Sequence, residues 1–234
     1  MSNVVLDFWD DFISLLFPRL CCGCGAPLVK NETFLCLDCF FNMPRTNYHL
    51  EKDNAVEKLF WGRCKIEKAS AFSFYTQDSR IRKIVHALKY KGMKDVGPML
   101  GKMCANELKS SSFFEDIEVL IPVPLHPSKL RQRGYNQSEL IVEGISEVTG
   151  ISVDTTSLSR SMFTQTQTRR KRFDRWLNVE GVFCVDDYSA INGKHILLID
   201  DVVTTGSTIE ACVNELVKGE NVRVSVLTMA VAVN

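Results

Sequence analysis

Two stretches of this chain hold residues whose types and spacing can do chemistry. The first is Ile196-Leu-Leu-Ile-Asp200-Asp201-Val-Val-Thr204-Thr205-Gly206-Ser207-Thr208, an apolar run leading into two carboxylates and then four hydroxyl side chains around one glycine. Adjacent carboxylates accept from hydroxyl groups. Hydroxyls and free N–H groups at a helix start cradle an anion, and Gly206, with no Cβ, lets the backbone come close to it. Helix caps and solvated surface acids are the plainer account, but that account leaves unexplained why two acids directly follow four apolar residues. The stretch lacks a Walker A lysine, which excludes an ordinary P-loop nucleotide site.

The second stretch pairs Cys21-x-x-Cys24 with Cys36-x-x-Cys39, eleven residues apart. Two such knuckles converge four thiolates on one ion in the closed tetrahedral site that zinc prefers, and a lone redox motif would not need its twin. A site filled by protein ligands is structural, and about forty residues with little core depend on it to fold. Cys22 is an extra thiol able to stand in for Cys21. The same ligand set also suits an iron–sulfur cluster. Cys64, Cys104, Cys184 and Cys212 are scattered singly, with Cys184 and Cys212 at apolar positions, so reduced thiols are expected.

Formal net charge is zero, so bulk charge advertises no nucleic-acid or membrane partner. The basic residues are nevertheless grouped. Windows 80–94, 129–133 and 160–175 hold fifteen of the 28, including Lys89 and Lys91 on either side of Tyr90, an arrangement suited to stacking a base beside a phosphate contact. The third window, with Arg160, Arg169, Arg170, Arg172 and Arg175, is polar and cationic, as a mobile lid or a grip on a phosphate backbone would be.

The elements that must position these groups alternate. Strands are expected at Ala69–Tyr75, Val119–Val123, Val182–Val185, Ile196–Ile199 and Val222–Leu227, and helices at Asn136–Val148 and Thr208–Lys218, stopping at Gly150 and Gly219. The strand at Ile196, the helix at Thr208 and the strand at Val222 form a βαβ unit with parallel strands, so the class is α/β. The apolar runs fall short of the roughly 20 residues that a bilayer requires, so no integral membrane span is expected. Val4–Leu16 is apolar on one helical face but carries Asp7, Asp10 and Asp11, which favours a docking helix over a membrane-surface one. A cytoplasmic location is expected, with peripheral attachment to the inner membrane as the alternative. The expected organisation is a helix plus four-cysteine module over 1–44, a linker over 45–63 and the α/β domain over 64–234.

The acid–hydroxyl stretch looks like the 5-phosphoribosyl-1-pyrophosphate (PRPP) signature of type I phosphoribosyltransferases. Nearly end to end, the chain resembles the ComF family, competence-associated proteins in which a short zinc-knuckle region precedes such a domain. The resemblance implies a type I phosphoribosyltransferase-like α/β fold, its mostly parallel sheet flanked by helices. It gives Asp200 and Asp201 to the ribose hydroxyls, and Thr204, Thr205, Gly206, Ser207 and Thr208 to the 5′-phosphate. The run Ile121–Gln137, with His126, Lys129, Arg131 and Arg133, is similar to the family's pyrophosphate loop, although it departs from the short acidic-glycine loop of purine-pathway amidophosphoribosyltransferases. Window 160–175 resembles the flexible catalytic loop. The implied ligands are PRPP with Mg²⁺ and a structural Zn²⁺; the implied role is DNA uptake in natural transformation, handling single-stranded DNA beside a helicase or recombination protein. Two rivals stand next to a PRPP binder: a transferase acting on an unknown acceptor, and a non-catalytic scaffold. No side chain is assigned a catalytic role, because such a transfer is catalysed mainly by positioning and charge stabilisation.

Overall fold

The computed structural model describes residues 17–160 and 182–233. Five strands form one parallel sheet: β1 (Ala69–Tyr75), β2 (Val119–Pro122), β3 (Ser152–Val153), β6 (His195–Val203) and β7 (Arg223–Ala232), in the order β1-β7-β6-β2-β3. Strands β6 and β7 are apolar and buried nearly throughout, as strands covered on both faces must be. A separate antiparallel pair joins β4 (Ser159–Arg160) to β5 (Phe183–Cys184). This is the α/β class expected, with helices flanking a parallel sheet, and β6 and β7 are the parallel strands of the expected βαβ unit. The acids do not end their strand, however. Strand β6 runs on to Val203, with Asp200 in register with Thr228 and Val202 with Ala230, because β7 continues alongside to Ala232 and supplies ladder partners past the carboxylates.

Helix α3 (Arg80–Tyr90) buries Ile81, Ile84, Val85 and Leu88, the spacing of one helical face. Helices α4 (Val96–Leu108) and α6 (Gln137–Thr149) cross closely: a Cβ on Gly101 would lie 2.1 Å from the Ile141 carbonyl oxygen, and one on Gly144 would lie 2.1 Å from that of Pro98. Helix α7 (Ser207–Leu216) buries Ile209, Cys212, Val213 and Leu216 as its periodicity requires, but stops before Gly219.

The stretch 45–63, expected to link, lies against the sheet. The Thr46 hydroxyl donates to the Ala71 carbonyl, and the Thr46 N–H donates to the Phe72 carbonyl at 3.3 Å. Buried Asn54 caps the short helix α2 (Ala55–Lys58) and donates to the Ala69 carbonyl at 2.9 Å, while Val56 and Phe60 are fully buried. Its polar residues look like linker by composition because their burial depends on hydrogen bonds that composition does not reveal. The cysteine module, with its helix α1 (Leu37–Phe41), contributes Leu35, Cys39 and Met43 to the same core as α3, α4 and α6. Among the described residues, no helix is long and apolar enough to cross a membrane.

Candidate functional site

The acid pair sits where β6 leaves the sheet's interior. Buried Asp201 meets Lys89 of α3, whose Nζ lies 2.8 Å from each carboxylate oxygen and donates to Oδ1. Asp200 accepts from the Ser138 hydroxyl at 3.1 Å and from the Asp201 N–H at 2.8 Å. Burial first, and the neighbouring Asp201 carboxylate second, push the Asp200 carboxyl up to about 7. The site is thus built from three places in the chain: the end of β6, the last turn of α3 and the first turn of α6. Asn136 secures the third, capping α6 through Ser138 N–H and donating to the Val123 carbonyl at 3.1 Å.

Beyond the acids, Thr204–Thr208 turn into α7 around a small hollow of about 50 Å³, lined by Asp200 and residues 202–209. One water occupies roughly 10–15 Å³ by the same kind of measure, so the hollow admits a tetrahedral anion. Gly206 is the N-cap residue, left-handed at φ +78°, and provides no side-chain cap, so the first N–H groups of α7 are left for a ligand. A Cβ there would lie 2.9 Å from Phe60 Cε1. Thr204, Thr205 and Thr208 are exposed, and the Thr205 and Ser207 hydroxyls are 3.1 Å apart.

Behind the hollow stands a residue that the sequence did not single out. Arg63 donates through Nη1 to the Thr205 carbonyl at 2.7 Å and through Nε to Glu210 Oε2 at 3.1 Å. The available signal was the Asn54-x-x-Glu57 pattern, a helix-start signature that would have turned the supposed linker into a packed element. Ser138 was also missed. Its only cue is its place at the start of a helix that follows a strand.

The remaining candidates divide. Lys129, Arg131 and Arg133 lie on a seven-residue helix, α5 (Pro127–Arg133), rather than on a loop, because Pro127 opens it behind the His126 cap and Gly134 closes it at φ +80°. His126 spends Nδ1 on that cap, accepting from the Ser128 N–H at 3.2 Å. Arg133 donates to the Gln137 side chain, and its guanidinium carbon lies 5.6 Å over the Tyr90 ring. Lys91 is exposed at the end of α3, and Arg160 stacks 5.1 Å over Phe183. Arg169, Arg170, Arg172 and Arg175 lie outside the described residues.

In the cysteine module, the sulfurs of Cys21, Cys24, Cys36 and Cys39 all lie within 4.8 Å of one another, with Cys24 and Cys36 3.6 Å apart. Four ligands at 2.3 Å from a tetrahedral ion stand about 3.8 Å apart, so the set fits a metal. Cys36 N–H donates to Cys21 Sγ at 3.3 Å and Cys39 N–H to Cys36 Sγ at 3.4 Å. Burial raises the Cys21 thiol, yet the backbone N–H groups of Cys36, Cys24 and Gly23 outweigh it and bring it down to about 6. Cys22 is outside the four; burial pushes it up to about 12, and it packs against the core. Gly23 makes the knuckle possible, since a Cβ there would lie 2.9 Å from Cys39 Sγ. A cavity of about 990 Å³ lies between this module and α4, with Leu35, Leu37 and Phe41 on one wall and Met99 and Met103 on the other.

No family model matches the chain. It is similar to the DNA utilization protein YhgH of Salmonella typhimurium, 27% identical over 207 residues that cover 83% of this chain and 89% of that protein. It is similar to competence protein ComFC of Bacillus subtilis, 26% identical over 223 residues, covering 90% of this chain and 83% of that one. Competence protein F of Haemophilus influenzae is 33% identical over 93 residues, 39% of this chain and 41% of its own. Among solved structures, the glutamine PRPP amidotransferase of B. subtilis matches 64% of this chain and 28% of its own at 22% identity, with a TM-score of 0.37. A Staphylococcus aureus hypoxanthine phosphoribosyltransferase matches 58% of this chain and 62% of its own at 15% identity, with a TM-score of 0.35.

Proposed function

We propose that the chain is a ComF-type competence protein, like the relatives it resembles, that it binds PRPP together with Mg²⁺ at the end of β6, and that it serves DNA uptake by handling single-stranded DNA in the cytoplasm. The observation that carries the reading is one continuous edge: Asp200 and Asp201, joined to Ser138 and Lys89, run directly into the Gly206 hollow. A ribose phosphate needs both halves, acceptors for its hydroxyls and donors for its phosphate. Asp200 and Asp201 would take the ribose hydroxyls; the loop 204–208 would take the 5′-phosphate. Mg²⁺, when bound, would neutralise pyrophosphate charge. Arg133, Lys129, Arg131 and His126, which follow β2 on the strand next to β6, are the candidates for the pyrophosphate side.

For DNA, the support is an exposed aromatic in a cationic setting. Tyr90 is 68% exposed, between Lys89 and Lys91 and under the Arg133 guanidinium. Base stacking on such a ring is sequence-tolerant, and phosphate contacts make it salt-dependent. The four sulfurs would hold a structural Zn²⁺ that lets the small module keep its shape.

The test is calorimetric titration of the full chain with PRPP, with and without Mg²⁺, beside the Asp200→Ala/Asp201→Ala variant. Binding in the micromolar range that needs Mg²⁺ and disappears in the variant supports the reading. A folded wild type that binds no PRPP overturns it. Pyrophosphate release on adding amine or base acceptors would separate a transferase from a binder. Loss of salt-dependent single-strand affinity on neutralising Arg169, Arg170 and Arg172 would support the DNA role.

A further inference from the structure

We infer, on the reading of 204–208 as a phosphate loop, that Arg63 is the positioning residue that turns the loop's N–H groups toward the anion and masks the charge of Glu210. Its guanidinium joins the loop and the first turn of α7 to the turn that precedes β1. Nη1 donates to the Thr205 carbonyl at 2.7 Å and the Leu59 carbonyl at 2.9 Å, and Nε donates to Glu210 Oε2 at 3.1 Å. Nη2 donates to the same Glu210 oxygen and lies 3.5 Å from the Ser207 hydroxyl. Only a planar fork serves acceptors in several directions at once; a lysine ammonium on a flexible stem does not reproduce it.

Two consequences follow for an anion in the hollow. The peptide between Thr205 and Gly206 is trans, so its carbonyl and its N–H point in opposite directions. With the Thr205 carbonyl fastened to Arg63, the Gly206 N–H faces away from Arg63. Gly206 itself lines the hollow together with Asp200 and its neighbours from 202 to 209, whereas Arg63 and Phe60 do not. Release of the carbonyl would let this peptide rotate and aim an oxygen at the phosphate. Glu210 is the second point: it sits in the first turn of α7, next to the N–H groups that would receive the anion. Paired with Arg63, its carboxylate is neutralised; unpaired, it would repel a phosphate in the hollow. The pair is partly screened, with side chains 33% and 27% exposed.

The experiment measures ribose 5-phosphate affinity of the full chain by calorimetry, and follows the Gly206 and Ser207 amide resonances, in wild type, Arg63→Ala, Arg63→Lys, Glu210→Gln and Arg63→Ala/Glu210→Gln. Arg63→Ala is expected to weaken binding by about ten- to a hundredfold and to shift both amides before ligand is added. Arg63→Lys is expected to fall between it and wild type. The double variant is expected to regain roughly threefold over Arg63→Ala, because it removes the bare carboxylate; a purely structural brace would give no such recovery. Glu210→Gln, which keeps an acceptor for Arg63, is expected to bind at least as well as wild type, and it carries the test if Arg63→Ala does not fold. Wild-type affinity in Arg63→Ala, or a tenfold loss in Glu210→Gln, overturns the role of Arg63 alone. Absence of binding by wild type overturns the phosphate reading itself.

Discussion

Gly206→Ala separates the shape of the loop from its contacts, because the residue is constrained twice. It sits at φ +78°, where an L side chain costs about 1–2 kcal/mol. Its new Cβ would also stand 2.9 Å from Cε1 of Phe60, a ring that is fully buried and has nowhere to retreat, and overpacking of this kind costs about 1–3 kcal/mol. Together these come to roughly 2–5 kcal/mol. Gly62 is the control: it is also left-handed, at φ +71°, but a Cβ there meets nothing within 4 Å, so Gly62→Ala pays only the backbone cost. Thermal unfolding of the two variants reads the difference, at about 2–4 °C per kcal/mol for a chain of this size. Should the loop relieve its strain by lifting off Phe60, the loss appears instead in affinity for ribose 5-phosphate, because the N–H groups at the start of α7 move with it. Gly206→Ala that matches Gly62→Ala in both midpoint and affinity would refute the claim that the Phe60 contact shapes the hollow.

Removing the cation from the buried pair, Lys89→Met, strands an Asp201 side chain only 5% exposed, and a loss of about 2–4 kcal/mol is expected by urea unfolding. Adding Asp201→Asn should restore part of it, and a double-mutant coupling below about 0.5 kcal/mol would show that the pair contributes little. Asp200 sets a pH dependence with a definite sign. Its native carboxyl is raised to about 7 from an ordinary 3.8, so the folded chain keeps a proton that the unfolded chain has lost. Its contribution to stability is therefore present below about pH 4 and is lost as pH rises to about 7, and Asp200→Asn should flatten that slope in the urea midpoint. An unchanged slope would assign the titration elsewhere. For the cysteine module, elemental analysis should find about one zinc per chain, lost in Cys21→Ser and retained in Cys22→Ser; iron, or retention in Cys21→Ser, would contradict the assignment.

What the sequence made legible was local. Alternation and helical periodicity placed Ala69–Tyr75 to the residue and found the α6 and α7 faces, because burial on one face is written in spacing alone. The cysteine knuckles were legible for the same reason, since their ligand spacing is short. The illegible parts depend on partners far away in the chain. Lys89 looked like one more base in a cationic window, yet its partner Asp201 is 112 residues on. Arg63 meets Thr205 and Glu210 across 142 and 147 residues, and no local pattern carries that. The supposed linker failed through a physical equivalence: Thr46 and Asn54 look alike by composition whether they face water or close hydrogen bonds inside the protein, and here they do the second.

The same distinction explains how the candidate site divides its work. Its recognisable residues lie together on one strand, loop and helix, where a ligand could touch them, whereas the residues that hold them come from elsewhere: Ser138 from α6, Lys89 from α3 and Arg63 from the turn before β1. Asp201 has a cation; Asp200 has only a hydroxyl and a backbone N–H. Of the two carboxyls, Asp200 is therefore the one that holds a proton up to about pH 7, and a ligand that arrives with hydroxyls or a cation favours its ionised form. The hollow beyond it makes the opposite demand, because N–H groups without acceptors favour negative charge. A ligand answering both must be hydroxylated or cation-bearing at one end and anionic at the other, with the two ends separated by no more than the turn from Asp200 to Gly206. A plain phosphate meets only the second demand and a nucleic-acid base meets neither, so selectivity at this edge comes from the junction between the two halves.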